Sequence, residues 1–523
     1  MGLSPNGKGE FTMQRTPFHG RILVLGFGGV ARCTLPLMLR HIEIPPERIT
    51  VLDFADLGDV VNDPRFAGVR FIRSKILRTN YEAEILRHIG PGDILVDLAW
   101  NIACTDLLAL CRANNIRYVN TSVELWNPYQ DRDELPAVEK TLYVRQMAIR
   151  RLIDSWADNS GPSAVLDHGA NPGLVSHFAK LGLVDLAHRW LEEKATPALR
   201  PIVERALADR DWPLLAETLG VKVIHISETD TQEARTERRA GEFLNTWSVE
   251  GFYEESIAPA EMGWGTHEQA LPADANEHAD GPRNQICLDT FGMDTFVRSR
   301  VPSGEITGMV IRHGEAFSLS DFLTRYDEAG RAVYRPTVHY AYCPCDVALE
   351  SIDELREKRY PPPNDWRILS DEIESGRDEL GVLLMGHDFQ AWWTGTILTI
   401  EEARALVPGQ NATTLQVASS VVGAVLWMFR NPRAGVRLPD ELPFEEILGF
   451  ATPYLGRIVS QPITWMPGVS AEKMPRDAAD AKHWQFARFR TTQPPVPRRP
   501  TTVAAPDGRP LETGRSTALT AAR

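Results

Sequence analysis

Short apolar runs separated by polar stretches of helical spacing dominate the first third of the chain. The runs lie at residues 22–25, 49–52, 68–72, 93–98, 118–120 and 164–166. Alternation of such runs with helical stretches is typical of a parallel sheet that is covered by helices on both faces. Ligands of these sheets bind beyond the carboxyl ends of the strands, so the residues that follow each run are candidates for a binding site.

The first apolar run leads directly into a glycine turn that opens a helix, with the pattern glycine-x-glycine-x-x-alanine. Gly26 allows a tight turn, and Gly28 allows the backbone to approach a pyrophosphate closely. Gly29 and Val30 begin a helix whose first amides face that anion. We therefore predict a dinucleotide site here. A buried turn that binds nothing is the competing interpretation.

The second apolar run ends in Asp53, at the interval where an acid commonly binds the ribose hydroxyls of the dinucleotide. A carboxylate repels a 2′-phosphate, and no arginine immediately follows it, so we predict NAD rather than NADP as the cofactor. The ends of the later strands supply the remaining candidates for cofactor binding. These are Asp97, Ala99, Asn101, Thr121 and Asn171.

The composition changes after residue 170, where short β-like runs at 223–227, 242–249, 285–288, 309–312 and 381–385 alternate with turns and helices. We predict an α/β fold with two domains: a Rossmann-type doubly wound parallel sheet at 20–170, and a mixed α+β domain at 171–410. The apolar segment at 411–430 predicts a buried helix. It begins a helical return to the first domain over 411–490, and disordered tails are expected at 1–19 and 491–523.

A formal charge of −14 argues against nucleic acid or an anionic membrane as a partner. It favours a cationic substrate only if acids converge on a pocket, and ordinary solubility explains it equally well. The six cysteines are scattered and the first residues lack the pattern of a signal peptide, so we expect a cytoplasmic protein. Cys343 and Cys345 have no second pair of metal ligands nearby, and no metal is predicted. No segment is apolar enough to span a bilayer.

Acidic residues surround one tryptophan in the middle of the chain. Glu228 and Asp230 end an apolar run, and Trp247 precedes Glu254 and Glu255. Carboxylates beside an indole face can hold a desolvated ammonium, because the ring attracts a cation by its quadrupole and the acids add charge-assisted hydrogen bonds. An acid there can also remove an ammonium proton. A core tryptophan and a structural ion pair at Glu228 are the alternatives.

Two further groups carry titratable side chains. His313 lies two residues from Glu315 on an extended segment, where the acid can orient the ring and tune its proton affinity. The acid-rich run at 371–381 is most simply a solvated helix end, and one of its members turned inward is the alternative.

Five blocks of the sequence together resemble the bacterial homospermidine synthases of the saccharopine dehydrogenase-like superfamily, and the similarity extends over about residues 20–480. The blocks are Gly26–Ala31, Asn120–Trp126, Asp167–His177, Ser227–Gln232 and Asn245–Phe252. The resemblance implies a homodimeric transferase of aminoalkyl groups in polyamine biosynthesis. Such an enzyme keeps NAD as a prosthetic group and joins two putrescine molecules with loss of ammonia. The resemblance also assigns substrate binding and dimerisation to the second domain.

The resemblance further implies roles for single residues. Its expected catalytic residues are Trp247 as the cation-binding ring, Glu255 as the acid beside the reacting amine, Glu228 and His313. Its expected substrate-binding residues are Glu124, Asn171, Glu228, Trp247, Glu315 and Asp378. The preferred length of the diamine, and whether spermidine is also a donor, stay open.

Two other functions remain compatible with the sequence. One is an NAD(P)-dependent saccharopine- or carboxynorspermidine-type dehydrogenase, whose amino-acid substrate requires an arginine clamp for its carboxylate. Arg235, Arg238 and Arg239 lie close enough in sequence to supply one. The other is a nucleotide-binding scaffold without turnover, in which Glu228 and Trp247 lie on an exposed face.

Overall fold

The computed structural model describes residues 15–58, 62–130, 132, 134–498, 502–504 and 510–512. The predicted disordered tails therefore fall largely outside the described residues. Their inner ends do not: Thr16 pairs with Ile42, and Thr491 pairs with Phe296. The predicted boundaries at residues 19 and 491 are wrong by a few residues, because short edge strands attach both ends to the body of the protein.

The first domain contains a run of strands and helices in alternation. They are β1 (Thr16–Pro17), β2 (Ile22–Leu25), α1 (Gly29–His41), β3 (Ile42–Glu43), β4 (Ile49–Asp53), β5 (Arg70–Arg73), α2 (Tyr81–Leu86), β6 (Ile94–Asp97), α3 (Cys104–Ala113), β7 (Arg117–Asn120), α4 (Leu142–Asp154) and β8 (Gly161–Val165).

The rest of the chain contributes the second domain and the return to the first. Its helices are α5 (Leu174–Glu193), α6 (Arg200–Asp209), α7 (Trp212–Leu219), α8 (Val249–Ser256), α9 (Glu315–Phe322), α10 (Asp346–Glu357), α11 (Ile400–Leu406), α12 (Ala412–Arg430), α13 (Phe444–Ala451) and α14 (Phe486–Phe489). Its strands are β9 (Val223–Asp230), β10 (Glu233–Ala234), β11 (Glu242–Asn245), β12 (Pro259–Gly263), β13 (Ala275–Glu277), β14 (Gln285–Phe291), β15 (Phe296–Val301), β16 (Gly304–Met309), β17 (Arg325–Tyr326), β18 (Ala332–Tyr334), β19 (Thr337–Cys343), β20 (Asp365–Ile368), β21 (Ile373–Ser375), β22 (Arg377–His387), β23 (Gln390–Thr399), β24 (Ala434–Arg437), β25 (Arg457–Ile463), β26 (Arg490–Thr491), β27 (Thr502–Ala504) and β28 (Pro510–Glu512).

Seven parallel strands form the sheet of the first domain, in the order β24-β8-β7-β6-β2-β4-β5. Strands β2, β6 and β7 are buried along their whole length, because helices cover both faces of the sheet. The chain leaves β2 toward β4 on one side and later returns to β6 on the other. This reversal opens a crevice above the carboxyl ends of β2 and β6, where such sheets bind ligands. The predicted α/β fold class is confirmed.

The second domain is built on an eleven-stranded mixed sheet, with β13-β14-β12-β19-β9-β22-β23-β25 as its main path. Strand β9 lies in its middle, parallel to β19 and antiparallel to β22. Every residue of β9 is buried. Its polar carboxyl end, Glu228-Thr229-Asp230, is therefore held inside the protein between its two neighbours.

Helix α12 packs against α1, and β24 then extends the first sheet beside β8. Strands β25 and β26 belong to the second sheet, so the predicted return over 411–490 is divided between the two domains. The expectation that no segment is apolar enough to span a bilayer differs from the structure, in which α12 is, among the described residues, the one helix long and apolar enough to do so. It is mostly buried inside this protein as a core helix, which accounts for its composition.

The strand predicted over 242–249 is wrong at its end. Strand β11 stops at Asn245, and helix α8 begins at Val249. Ser248 caps that helix, since its hydroxyl accepts a hydrogen bond from the amide of Gly251 at 3.1 Å. The change of direction places Trp247 in the bend between strand and helix.

Candidate active site

A cleft of about 660 Å³ lies above the carboxyl ends of β2 and β4, and the glycine turn forms its floor. Gly26 has φ +81°, and a Cβ there would lie 2.8 Å from the carbonyl oxygen of Leu98. This turn therefore requires glycine. A Cβ on Gly28 would meet no protein atom within 4 Å, so its position faces open space.

The start of α1 faces the same cleft. Gly29 and Val30 line it together with Gly28, and the first turn of the helix carries no acidic side chain. Free amides at the start of a 13-residue helix, approached through a glycine, suit the pyrophosphate of a dinucleotide. The residues present thus fit the NAD that the sequence predicts.

Asp53 lies in the cleft at the end of β4. One carboxylate oxygen accepts from the amide of Phe27 at 2.6 Å and the other from the amide of Ala55 at 2.7 Å. Each oxygen keeps further acceptor capacity for a ribose hydroxyl. Lys75 and Arg78 also line this end of the cleft. The sequence analysis missed them because they follow β5 and approach only in the folded chain.

The other predicted cofactor residues divide into three groups. Ala99 and Asn101 line the cleft, while Thr121 and Asn171 line a smaller cavity next to it. Asp97 lines neither cavity, so its predicted contact with the cofactor is not supported. It is buried and accepts hydrogen bonds from the hydroxyl of Tyr118 and the amide of Ala99, and burial raises its pKa to about 7.

The smaller cavity, which we term the inner cavity, has a volume of about 160 Å³ and adjoins the cleft. Trp247 lines both spaces. Its indole Nε1–H donates to the hydroxyl of Tyr342 at 3.0 Å, and the edge of Phe252 supports the ring at 5.6 Å between centroids. The indole is thereby fixed at the junction of the cofactor cleft and the inner cavity.

Glu228 reaches the inner cavity from β9. It accepts a short hydrogen bond from the hydroxyl of Tyr340 and a longer one, at 3.4 Å, from the side-chain amide of Asn171. Burial raises the pKa of Glu228 to about 7, and the bond from Tyr340 acts in the opposite direction. Near neutral pH the protonated and ionised forms of Glu228 are therefore similarly populated, so the side chain can either donate or accept a proton.

Two more acids line the inner cavity. Ser122 donates to one oxygen of Glu124 at 2.8 Å, while the other oxygen is buried without a protein partner. Glu255 lines the cavity from α8. Burial raises the pKa of both carboxyls, and that of Glu255 lies well above its ordinary value. Neutralisation by a cation would relieve that cost of burial.

No lysine or arginine occurs among the described residues that line the inner cavity. Behind its wall, the guanidinium groups of Arg145 and Arg312 both bind Glu254. This buried group holds the pKa of Glu254 at about 2, although burial acts to raise it. The two arginines are thus engaged with a neighbouring acid and do not line the inner cavity.

The arginines considered for a carboxylate clamp lie elsewhere. Arg238 is buried and pairs with Glu354 on α10. Arg239 pairs with Glu242, and Arg235 lies 3.6 Å from Glu374. None of the three lines the inner cavity. A substrate carboxylate would therefore meet acids there rather than a guanidinium.

The acid-rich run that carries Asp378 is not a solvated helix end, because it forms strands β21 and β22. Asp378 itself does not line the inner cavity. It lies fully buried on β22, directly opposite Asp230 of β9. It accepts from the hydroxyl of Thr413 at 3.0 Å. Burial raises its pKa well above the ordinary value, and the nearby Glu228 raises it further. We call Glu228, Asp230 and Asp378 the acid trio.

His313 and Glu315 lie behind Tyr340 and likewise do not line the inner cavity. The His313 Nδ1 and a Glu315 carboxylate oxygen are 2.9 Å apart, and the other oxygen accepts from the amide of Gly173 at 2.7 Å. Burial lowers the pKa of His313 to about 3 and raises that of Glu315 to about 8. Both shifts favour the neutral forms of the two side chains, so Glu315 orients the His313 ring by a hydrogen bond rather than by its negative charge.

The sequence analysis missed Tyr340 and Tyr342, which connect most of these groups. They alternate along β19 and stack on each other at 5.1 Å, and this strand pairs with β9. An aromatic residue at every second position is the signal that would have placed them on one face of a strand.

Comparisons with known proteins agree with this arrangement. The chain matches two family descriptions, "Saccharopine dehydrogenase NADP binding domain" over residues 22–165 and "Saccharopine dehydrogenase C-terminal domain" over residues 169–463. The homospermidine synthase of Blastochloris viridis is 41% identical over 478 residues, which is 89% of this chain and 96% of that protein. That of Mesorhizobium japonicum is 37% identical over 475 residues, covering 89% and 95%. The crystal structure of the homospermidine synthase from Legionella pneumophila in complex with NAD superposes with a TM-score of 0.80 at 36% identity, covering 91% of this chain and 99% of that one.

Proposed function

The chain belongs to the homospermidine synthase family within the saccharopine dehydrogenase-like proteins, and from this premise we propose that it joins two putrescine molecules into homospermidine. Ammonia is released, and NAD serves as a prosthetic group that is regenerated in each cycle. The observation that carries the proposal is the position of Trp247, which lies where the cofactor cleft meets the inner cavity and lines both. The cavity beyond it has three acids and, among the described lining residues, no basic side chain.

This lining favours a diamine over an amino acid. Ammonium groups are stabilised by the carboxylates of Glu124, Glu228 and Glu255 through charge-assisted hydrogen bonds. A substrate carboxylate has no guanidinium to bind, which weakens the alternative of a saccharopine-type dehydrogenase. Glu228 and Trp247 line a cavity rather than an exposed face, which disfavours a scaffold that only binds nucleotide.

Bound NAD would supply an acceptor and donor of hydride at the wall of the inner cavity. The side chains of this protein supply the remaining chemistry. A carboxyl with a pKa near 7, as at Glu228, takes a proton from an ammonium and leaves a neutral amine able to attack a carbon. The face of Trp247 stabilises a planar cation formed at that carbon. Enclosure keeps water from attacking it and releasing an aldehyde.

The test is a stoichiometric assay on the purified protein. Putrescine is incubated with NAD far below the substrate concentration, and homospermidine, ammonia and NADH are measured together. One homospermidine and one ammonia per two putrescines, without accumulation of NADH, supports the proposal. NADH formed in step with an oxidised product indicates the dehydrogenase, and tight NAD binding without any product indicates the scaffold.

We further propose a homodimer in the cytoplasm. The support is the family resemblance and the six cysteines, all buried and unpaired, as expected where thiols stay reduced. Light scattering of the purified protein measures the mass of the assembly. The same assay with spermidine in place of one putrescine tests whether it is a second donor.

A further inference from the structure

The chain beyond α14 passes back along the second domain. Strand β26 pairs with β15 through Thr491 and Phe296. Just before this point, Arg490 binds Asp274 through two hydrogen bonds, at 3.0 and 2.8 Å. The segment then continues to Arg498. We call residues 490–498 the C-terminal strap.

Arg498 connects the strap to the strand that carries the acid trio. One guanidinium nitrogen donates to the carbonyl oxygen of Asp230 at 2.9 Å, and another donates to the hydroxyl of Thr229 at 2.7 Å. The backbone amide of Arg498 donates to the carboxylate of Asp346 at 3.0 Å, in the first turn of α10. One residue of the strap thus joins the end of β9 to α10.

The contacted residues are the immediate neighbours of Glu228. Thr229 and Asp230 are the last two residues of β9, and Glu228 reaches the inner cavity from the position before them. A shift of the strand end would move that carboxylate, and small shifts of reacting groups are costly.

We propose that Arg498 is a positioning residue: it fixes the carboxyl end of β9 and places a positive charge beside the acid trio. The inference deepens the proposed function, on which it rests, because the trio matters for turnover only if Glu228 holds the diamine.

The charged and titratable groups around the trio come from several elements. They are Tyr340 and Tyr342 on β19, Cys343 at its end, Cys345 next to α10, Asp346 on α10 and Arg498 on the strap. Burial raises the pKa of Asp230, and the charge of Arg498 opposes that rise. The neighbouring guanidinium of Arg377 is engaged with Glu379 instead. Removal of Arg498 therefore raises the pKa of the trio.

The experiment compares Arg498→Ala with Arg490→Ala in the full-length enzyme loaded with NAD. Both variants remove one arginine from the strap, but only the first loses contact with β9. An ionised Glu228 is needed to hold an ammonium, and its proton affinity depends on the charge of Asp230 and Asp378, so kcat/KM falls as pH drops through the apparent pKa of the trio. Because Arg498 is partly exposed, we expect Arg498→Ala to move this acidic limb upward by about half a pH unit, or roughly threefold in kcat/KM below it. Arg490→Ala should leave the acidic limb at its wild-type pH. Arg498→Lys should return the limb most of the way to that pH, because it keeps the positive charge.

A second readout needs no turnover. A carboxyl whose pKa is higher in the folded than in the unfolded protein lowers the stability of the fold as pH rises between these two pKa values. Arg498→Ala should therefore lower the melting temperature, relative to the wild type, more at pH 8 than at pH 5. Arg490→Ala should show no such dependence.

The outcomes separate the two proposals. If the wild type makes no homospermidine, the proposed function fails, while the melting curves still test the charge of Arg498. An unchanged acidic limb in Arg498→Ala, or equal shifts in both alanine variants, overturns the role of Arg498 even if the wild type is a synthase. Equal differences in melting temperature at pH 5 and pH 8 would also overturn it.

Discussion

Replacement of Trp247 is the perturbation for which the structure gives the clearest expectation. The indole contributes a face toward the inner cavity, a wall against the cofactor cleft, and an Nε1–H bond of 3.0 Å to Tyr342. Trp247→Phe keeps a smaller face and most of the wall but loses the hydrogen bond. Trp247→Ala loses all three.

The size of each effect follows from these losses. A cation over an indole is worth about 0.5–2 kcal/mol, and a hydrogen bond about 1 kcal/mol. Since phenylalanine retains part of the attraction, we expect Trp247→Phe to lose about 1–2 kcal/mol, or roughly 5- to 30-fold in kcat/KM. Trp247→Ala also widens the junction between the cavities of about 160 and 660 Å³ and admits water. Its loss should be at least about 100-fold.

The assay measures homospermidine by mass spectrometry, together with the aldehyde that water would release from the intermediate. The aldehyde should rise as a fraction of product in Trp247→Ala. Tyr342→Phe is the matched control, because it removes the partner of the indole N–H and leaves the ring in place. Its loss should stay within about fivefold.

Two results would refute the reasoning. Equal activity of Trp247→Phe and Trp247→Ala would mean that the aromatic face does not act on the reaction. A loss in Tyr342→Phe as large as in Trp247→Ala would mean that the ring matters only through its hydrogen bond.

Further predictions concern the cofactor cleft, the substrate acid and pH. Gly26→Ala should lower the melting temperature, because its Cβ would meet the backbone at 2.8 Å and its φ is +81°. Gly28→Ala should keep the melting temperature but weaken NAD binding at least about tenfold, since its Cβ enters the space for the pyrophosphate; unchanged calorimetric affinity would contradict this. Glu228→Gln should raise the KM for putrescine at least about tenfold with the melting temperature within about 2 °C of the wild type, and a mainly thermal effect would assign the residue to structure. Burial raises the pKa of Glu228 to about 7 and that of Glu315 to about 8, from 4.5, so both acids lower the free energy of unfolding of the apoprotein as pH rises. Buried histidines such as His313, whose pKa burial lowers, act in the opposite direction below about pH 6.5, so the net fall is expected between about pH 6.5 and pH 8. Urea titrations measure it, and a stability that rises over this range would contradict the assignment of neutral buried acids.

The nucleotide domain was predictable because its signals are local. The strand before Gly26, the turn and the helix are contiguous, and Asp53 follows at the end of the next apolar strand. The acids and the tryptophan of the inner cavity could be named from composition and resemblance. Several acids close to one tryptophan are an unusual combination, and this combination can be recognised in the sequence without knowledge of the fold.

What could not be predicted depends on contacts between distant segments. Asp378 lies in an acidic run that looks solvated, and only its pairing with β9 buries it beside Asp230. The neutral state of His313 and Glu315 follows from burial, which no spacing of two residues reveals. Arg498 belongs to a proline-rich segment typical of disorder, and its contacts reach about 270 residues back along the chain.

The account depends most on a cation held between the indole and the acids of the inner cavity, and a crystal structure with NAD and putrescine measures this directly. We expect one ammonium of the diamine within about 6 Å of the ring centroid of Trp247, hydrogen-bonded to Glu228, with the nicotinamide in direct contact with the diamine where the cleft meets the inner cavity. A diamine bound outside the inner cavity, or an indole more than about 10 Å from the nicotinamide, would contradict it.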